Sequence, residues 1–235
     1  MTDATQIEIA AEQAVPSLTQ VDFGRWRAHL SAGHIRRINA VTLHGERPED
    51  DVVRERLNLV QDLYHRHGLR PRLRTTSMDA WIDPAIERWT EAGDALVMTI
   101  ESQPGEVGPS ISIDAWLAWL SPRAVSAGRL DEAASSARRL EADNIVVTVT
   151  VGNEIVGAAR AVSTNGLTGL FDMTVDPEHR RRGHARSMID RLRGWAAQRN
   201  EEVYLQVAAV NRPAITLYES MGFVERYQYR YRSPD

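Results

Sequence analysis

The sequence predicts an α/β (α+β) protein of two related halves in tandem, each a mixed, mostly antiparallel twisted sheet flanked by helices. Three observations predict it. Apolar residues recur at helical spacing in stretches that alternate with short β-rich runs. Residues 144–175 read as three strands joined at Gly-Asn and Asn-Gly turns, the pattern of an antiparallel meander. Finally, "DPAIERWTEAGD" (83–94) and "RPAITLYESMGF" (212–223) share Pro-Ala-Ile and a glycine at the same distance, each after a helix and a short strand; Pro84 to Pro213 and Gly93 to Gly222 are both 129 positions.

The bulk composition narrows the function classes. The chain has 235 residues, 43% hydrophobic and 26% charged, enough for a substantial core. A net charge of −4 leaves no overall basic balance for nucleic acid. There is no cysteine, which excludes disulfides, thiol nucleophiles and zinc–thiolate sites. His65 and His67 are two apart on a predicted helix, so they diverge and make a poor metal pair; no metal is expected. "MTDATQIEIAAEQAV" has no basic n-region and reads as a tail, residues 1–20, rather than a signal peptide. No apolar run approaches the roughly 20 residues that cross a bilayer. The expectation is a cytoplasmic protein without a membrane partner.

The elements follow in order. Residues 24–44 contain strand-like pieces around Ser31-Ala32-Gly33. "PEDDVVRERLNLVQDLYHRHG" opens with proline and acids, repeats Val53, Leu57, Val60 and Leu63 or Tyr64 at helical spacing, and stops at Gly68. "RLRTT" is a short strand, "DAWIDPAIERWTEAG" a second helix and "ALVMTIE" another strand. Residues 102–110, "SQPGEVGPS", are rich in Gly, Pro and Ser and form the linker. After an ambiguous "ISIDAWLAWL" come helical "AGRLDEAASSARRLEA" and the meander. Ala185, Met188, Ile189, Leu192 and Ala196 then mark an amphipathic helix. Strand "VYLQVAA", helix "RPAITLYESMG" closed by Gly222, and strand "VERYQYRYR" complete the chain. The domain division expected is 21–101 and 111–235.

The chemistry concentrates in "VDPEHRRRGHARSMI" (175–189). A strand that turns into a helix presents unpaired N–H groups and the positive end of the helix dipole, an anion site before any side chain is counted. Gly183 allows close approach and Arg180, Arg181 and Arg182 add positive charge. The spacing is neither GxxxxGK[ST] nor GxGxxG, which disfavours a triphosphate P-loop and a dinucleotide fold. A solvated arginine surface is the plain alternative. Nucleic acid is disfavoured by the absence of aromatic residues in the loop.

"FDMTVDPEHRRRGHARSMI" resembles the cofactor-binding motif of the GNAT superfamily of acyl-CoA N-acetyltransferases. Val175, Pro177, Arg180, Gly183 and Ala185 meet its pattern of a strand ending near valine, Asp/His-Pro and Arg/Gln-x-x-Gly-x-Gly/Ala. "LQVAAVNRPAITLYESMGF" resembles its second signature, with Asn211, Tyr218 and Gly222-Phe223, and residues 112–232 fit the remainder of the fold. The resemblance implies tandem GNAT-like domains: an acetyl-CoA-dependent N-acetyltransferase in 111–235, acting on a primary amine of a small molecule or peptide by direct attack. Met173, Thr174 and Val175 would bond the pantetheine, with the Met173 amide polarising the thioester carbonyl. Arg181, Arg182, Gly183, His184, Ala185 and Arg186 would wrap the pyrophosphate, and Asn211 would bind near the pantetheine or simply cap its helix. Tyr218 would be the general acid toward the thiolate. A homodimer stays open.

One departure concerns the general base. A related group that acetylates protein N-termini carries glutamate where this chain has Gln206, which cannot take a proton. Asp172 is the candidate for holding or deprotonating the amine; a structural hydrogen bond in the sheet is its competing role. His179 and His184 flank the loop and read as surface residues. In the first half, "LHGERPEDD" places Glu46, Glu49, Asp50 and Asp51 where the arginines would stand, and Trp89 aligns with Tyr218. That half is expected to be a degenerate copy without cofactor binding. The rival reading is a non-catalytic acyl-CoA sensor.

Overall fold

In the computed structural model, which describes residues 2–234, eleven strands form one sheet in the order β1-β2-β3-β4-β11-β5-β10-β9-β8-β7-β6. The first half supplies α1 (Ala4–Ala14), β1 (Thr19–Phe23), β2 (Trp26–Leu30), β3 (Val41–Leu43), α2 (Asp50–Arg66), β4 (Leu73–Thr76) and β5 (Thr90–Ile100). The second supplies β6 (Ser110–Ile111), α3 (Ile113–Leu120), α4 (Ala127–Arg139), β7 (Asn144–Val151), β8 (Glu154–Thr164), β9 (Leu167–Val175), α5 (His184–Ala197), β10 (Glu202–Ala208), α6 (Arg212–Ser220) and β11 (Val224–Ser233).

The expected helices α2, α4, α5 and α6 form because each carries one apolar face. Val53, Leu57, Val60, Leu63 and Tyr64 of α2 are all buried, as are Met188, Ile189, Leu192 and Ala196 of α5. The ambiguous "ISIDAWLAWL" splits into the two-residue β6 and α3, capped by the Ser112 hydroxyl on the Ala115 amide. In the meander, Asn165 and Gly166 adopt φ of 51° and 72°, the pair of left-handed residues that a tight hairpin turn requires.

The two halves exchange strands. β5 lies between β10 and β11, antiparallel to both, whereas β11 lies between β4 and β5. Both neighbours of each exchanged strand therefore belong to the other half. The halves follow the same order: a hairpin, a third strand, a helix, a strand parallel to the third (β3 with β4, β9 with β10), a helical turn and the exchanged strand.

Two expectations need correction. Residues 4–14 of the expected tail are helix α1, whose Ile7, Ala10, Ala11 and Ala14 are buried against β8 and β9. Alternating alanine and isoleucine with interspersed acids hides this helix, because its acids face partners: buried Glu8 pairs with Arg74 and accepts from the Tyr227 hydroxyl. The helix expected over "DAWIDPAIERWTEAG" is instead a 3-10 stretch, Ser77–Ala85, and β5 already begins at Thr90. The Thr76 hydroxyl and Asp79 carboxylate cap its start, and Pro84 removes a helical N–H. Trp89 consequently stands in a turn, not on a counterpart of α6.

Residues 101–109 carry no regular structure, yet they are tied along α5. The Arg191 guanidinium donates to the carbonyls of Val107 (2.5 Å), Thr148 (2.5 Å) and Pro109, and Arg193 donates to that of Glu101. Gly194 permits this approach: a Cβ there would lie 2.7 Å from the Gly105 carbonyl oxygen.

Candidate active site

The site forms where β9 and β10 part. They pair only through Leu167–Leu170 and Glu202–Leu205, while β9 runs on to Val175 and β10 to Ala208. A register shift against β8, between Ala158 and Arg160, bends β9 at Asp172, whose φ is 55°. The expected residues Met173, Thr174 and Val175 occupy the diverging arm, all half-buried. Met173 and Val175 pack on the core beneath α5.

Beyond β9 the chain turns at Asp176, whose carboxylate takes two hydrogen bonds from Arg123, at 2.7 and 2.8 Å. These bonds hold its pKa below the usual carboxylate range. Arg180 donates to the Val175 carbonyl at 3.0 Å, tying the loop back to the strand. Arg181 and Gly183 then adopt φ of 62° and 85°, and Gly183 caps α5 with open space where a Cβ would stand. Alternating backbone hands turn successive N–H groups to one side. Among the described residues, no acceptor is bonded to the amides of Arg181, Arg182, Gly183, His184, Ala185 and Arg186. These six N–H groups at the positive end of α5 suit a phosphate. A cleft of about 470 Å³ opens beside them, between residues 103–106 and Gly183, Arg186 and Asp190.

The arginine side chains divide. Arg181 and Arg182 are exposed, whereas Arg186 reaches the Ser220 hydroxyl at 2.7 Å and links α5 to α6. His179 and His184 are half-buried rather than on the surface, with ring centroids 6.4 Å apart. Asn211 caps α6 through the Ala214 amide at 3.3 Å. Tyr218 packs on Phe223, centroids 5.6 Å apart, and burial pushes its phenol above the ordinary range.

On the opposite face of the sheet, Asp172 accepts from Arg160 Nε at 3.0 Å, so the structural partner anticipated as its competing role is present. Gln206 Oε1 accepts from Arg37 Nη2. Arg37 comes from the first half and was missed by sequence reasoning. So was Glu132 of α4, which accepts from the amides of Gly33 (3.0 Å) and Ile35 and from Asn39 Nδ2 (2.8 Å). These partners stand 93 to 99 positions away, beyond local pattern; the only local sign was the basic run "HIRRIN", with no acid near it.

No helix among the described residues is long and apolar enough to cross a membrane, and no group of three metal-binding side chains occurs among them. The chain is 40% identical over 57 residues to the [ribosomal protein bS18]-alanine N-acetyltransferase of Escherichia coli, a match covering 24% of this chain and 38% of that relative. It is 24% identical over 257 aligned positions, 99% of each chain, to the uncharacterized N-acetyltransferase YobR of Bacillus subtilis. The solved GCN5-related N-acetyltransferase of Kribbella flavida superposes over 100% of this chain and 97% of its own, with TM-score 0.76 and 15% identity. A tandem GNAT protein from the clavulanic acid biosynthesis pathway covers 96% of this chain and 86% of its own, with TM-score 0.64 and 14% identity. Residues 2–232 match the family described as "Probable histone acetyltransferase Rv0428c C-terminal". The chain belongs to that family and has the tandem GNAT fold of N-acetyltransferases.

Proposed function

We propose that the chain transfers an acetyl group from acetyl-CoA to a primary amine of a small molecule or peptide, with residues 111–235 as the catalytic domain. The six acceptor-free amides from Arg181 to Arg186 carry this reading, because they lie where β9 and β10 diverge. Those amides would hold the pyrophosphate, with Arg180, Arg181 and Arg182 reinforcing the positive field. Met173, Thr174 and Val175 would hold the pantetheine, and Asn211 would lie near it. Acetyl-CoA supplies the activated acetyl thioester that the amine attacks. The Met173 amide would polarise the carbonyl. Tyr218, kept protonated by burial, would donate to the departing sulfur.

Asp172 faces the acceptor side. Its ion pair with Arg160 fixes the carboxylate in place, and we assign it to holding the ammonium of the acceptor. Deprotonation through water fits this arrangement.

Residues 21–101 would be a degenerate GNAT-like half, with Glu46, Glu49, Asp50 and Asp51 repelling a pyrophosphate. Calorimetry should find one CoA per chain; two would contradict this assignment. Thiol release from acetyl-CoA, screened across polyamines, aminoglycosides, amino acids and peptide N-termini, tests the activity. The alternative, a non-catalytic acyl-CoA sensor, is favoured by the Gln206 amide on Arg37. CoA binding without thiol release from any amine would support it.

A further inference from the structure

We infer that Arg37, Gln206 and Arg160 form a carboxylate-recognition subsite, so that the preferred acceptor is an amine whose molecule also carries a carboxylate, as an amino acid does. This inference rests on the acetyltransferase reading above and names its substrate class.

The argument starts from the loop that delivers Arg37. Asn39 Oδ1 accepts from the amides of Ser31 (2.8 Å) and Gly33 (3.1 Å), and its Nδ2 donates to the Ile35 carbonyl at 2.7 Å. Buried Glu132, reaching over from α4, accepts from Gly33, Ile35 and Asn39. A carboxylate taking three N–H donors is a firm anchor. The loop of the first half is thereby pinned to the helical layer of the second, with Arg37 directed onto β10.

Arg37 is half-buried, and among the described residues no carboxylate pairs with it; its neighbours are Tyr229, Tyr231, Tyr204 and the Phe171 ring, whose centroid is 5.3 Å from Cζ. Since guanidinium has only donors, the Gln206 oxygen must face it, which leaves Gln206 Nε2 as the free group. That nitrogen is buried and has no partner among the described residues. Arg160 approaches the same Phe171 ring, Cζ 5.6 Å from the centroid, and its Nη1 is likewise buried without a partner among the described residues, while Nε holds Asp172. Arg160 is balanced by Asp172 and Arg74 by Glu8, so within this cluster Arg37 is the cation left without a carboxylate among the described residues.

A half-buried cation and two orphaned donors, one on Gln206 and one on the Arg160 that shares the Phe171 ring, are costly unless an acceptor satisfies them. A planar carboxylate has two oxygens in the geometry that a guanidinium fork and an amide N–H complement. Asp172, at the rim of the same group, would face the ammonium of that molecule. The cluster thus offers both charges of an amino acid their counterparts.

Lysine and 1,5-diaminopentane differ only by the carboxylate and test the idea. In a thiol-release assay with acetyl-CoA, kcat/KM for lysine should exceed that for the diamine by about 10- to 100-fold. Arg37→Gln should collapse that ratio toward one, and Arg37→Lys should restore part of it. Equal rates in the unaltered protein, a ratio that survives Arg37→Gln, or a preference for phosphoethanolamine over β-alanine would overturn the inference. If no amine releases thiol, the acetyltransferase reading fails separately, and the subsite is read from thermal unfolding with CoA present. N6-acetyllysine should then raise the midpoint more than N-acetyl-1,5-diaminopentane does, in the unaltered protein but not in Arg37→Gln; no difference in the unaltered protein would overturn it. Circular dichroism of each variant checks that it is folded.

Discussion

Burial among α6 and Phe223 raises the Tyr218 phenol, so a proton is available there across the whole neutral range. Tyr218→Phe removes only the hydroxyl. It should lower kcat by about 10²- to 10⁴-fold while leaving CoA affinity within a few-fold, as read from thiol release and calorimetry. In the unaltered enzyme, loss of the acid form should begin above the ordinary phenol pKa of about 10. A second residue matters for stability. Glu12 is buried, which by itself would raise its pKa, but the His44 hydrogen bond at 2.8 Å and the His29 imidazole 3.7 Å away outweigh burial and bring it from 4.5 to about 2. A lowered carboxylate pKa stabilises the fold above the unfolded value and loses that contribution as pH falls through the folded value. The stabilisation, on the order of 3 kcal/mol, should therefore be complete above about pH 5 and fade toward pH 2. Urea midpoints for the unaltered protein and Glu12→Gln should converge over that window; a pH-independent gap would refute the assignment.

At the scale of elements, the loop before α5 works through its backbone. Three arginines in a row suggest charge, yet Arg181 and Arg182 are exposed, and the organised donors are amides set by the left-handed Arg181 and Gly183. Arg182→Glu combined with Gly183→Pro should abolish CoA binding by calorimetry. The fold should persist, because α5 is held by Met188, Ile189, Leu192 and Ala196 rather than by its first turn. Unchanged affinity would remove the loop from the site. This motif was legible in sequence because its parts are local: a strand end, a proline, a glycine and an amphipathic helix. The 3-10 stretch Ser77–Ala85 was not, because the apolar spacing around Pro84 satisfies a helical pattern that the missing Pro84 N–H interrupts.

At the scale of the molecule, strand exchange makes the halves one folding unit. β11 has β4 and β5 as its neighbours, and β5 has β10 and β11. Residues 111–235 expressed alone should aggregate or remain unfolded, with β11 unpartnered and one edge of β10 bare. Residues 1–110 supplied together with them should restore soluble protein, and the full chain should unfold in one cooperative transition. A soluble, CoA-binding 111–235 fragment would contradict this.

Local chemistry was enough for the sequence to determine the α/β class, the duplication, the meander and the phosphate-suited loop, since each is written in neighbouring residues and their periodicity. Helix α1 escaped because its acids looked solvated; their partners, Arg74, His29 and His44, are brought to it only by the sheet. The tertiary structure alone decided that the strands exchange, that Arg160 holds Asp172, and that Glu132 anchors the loop carrying Arg37 to Gln206. Those contacts join residues far apart in the chain, and their energy comes from burying complementary groups together, which no single stretch of sequence encodes.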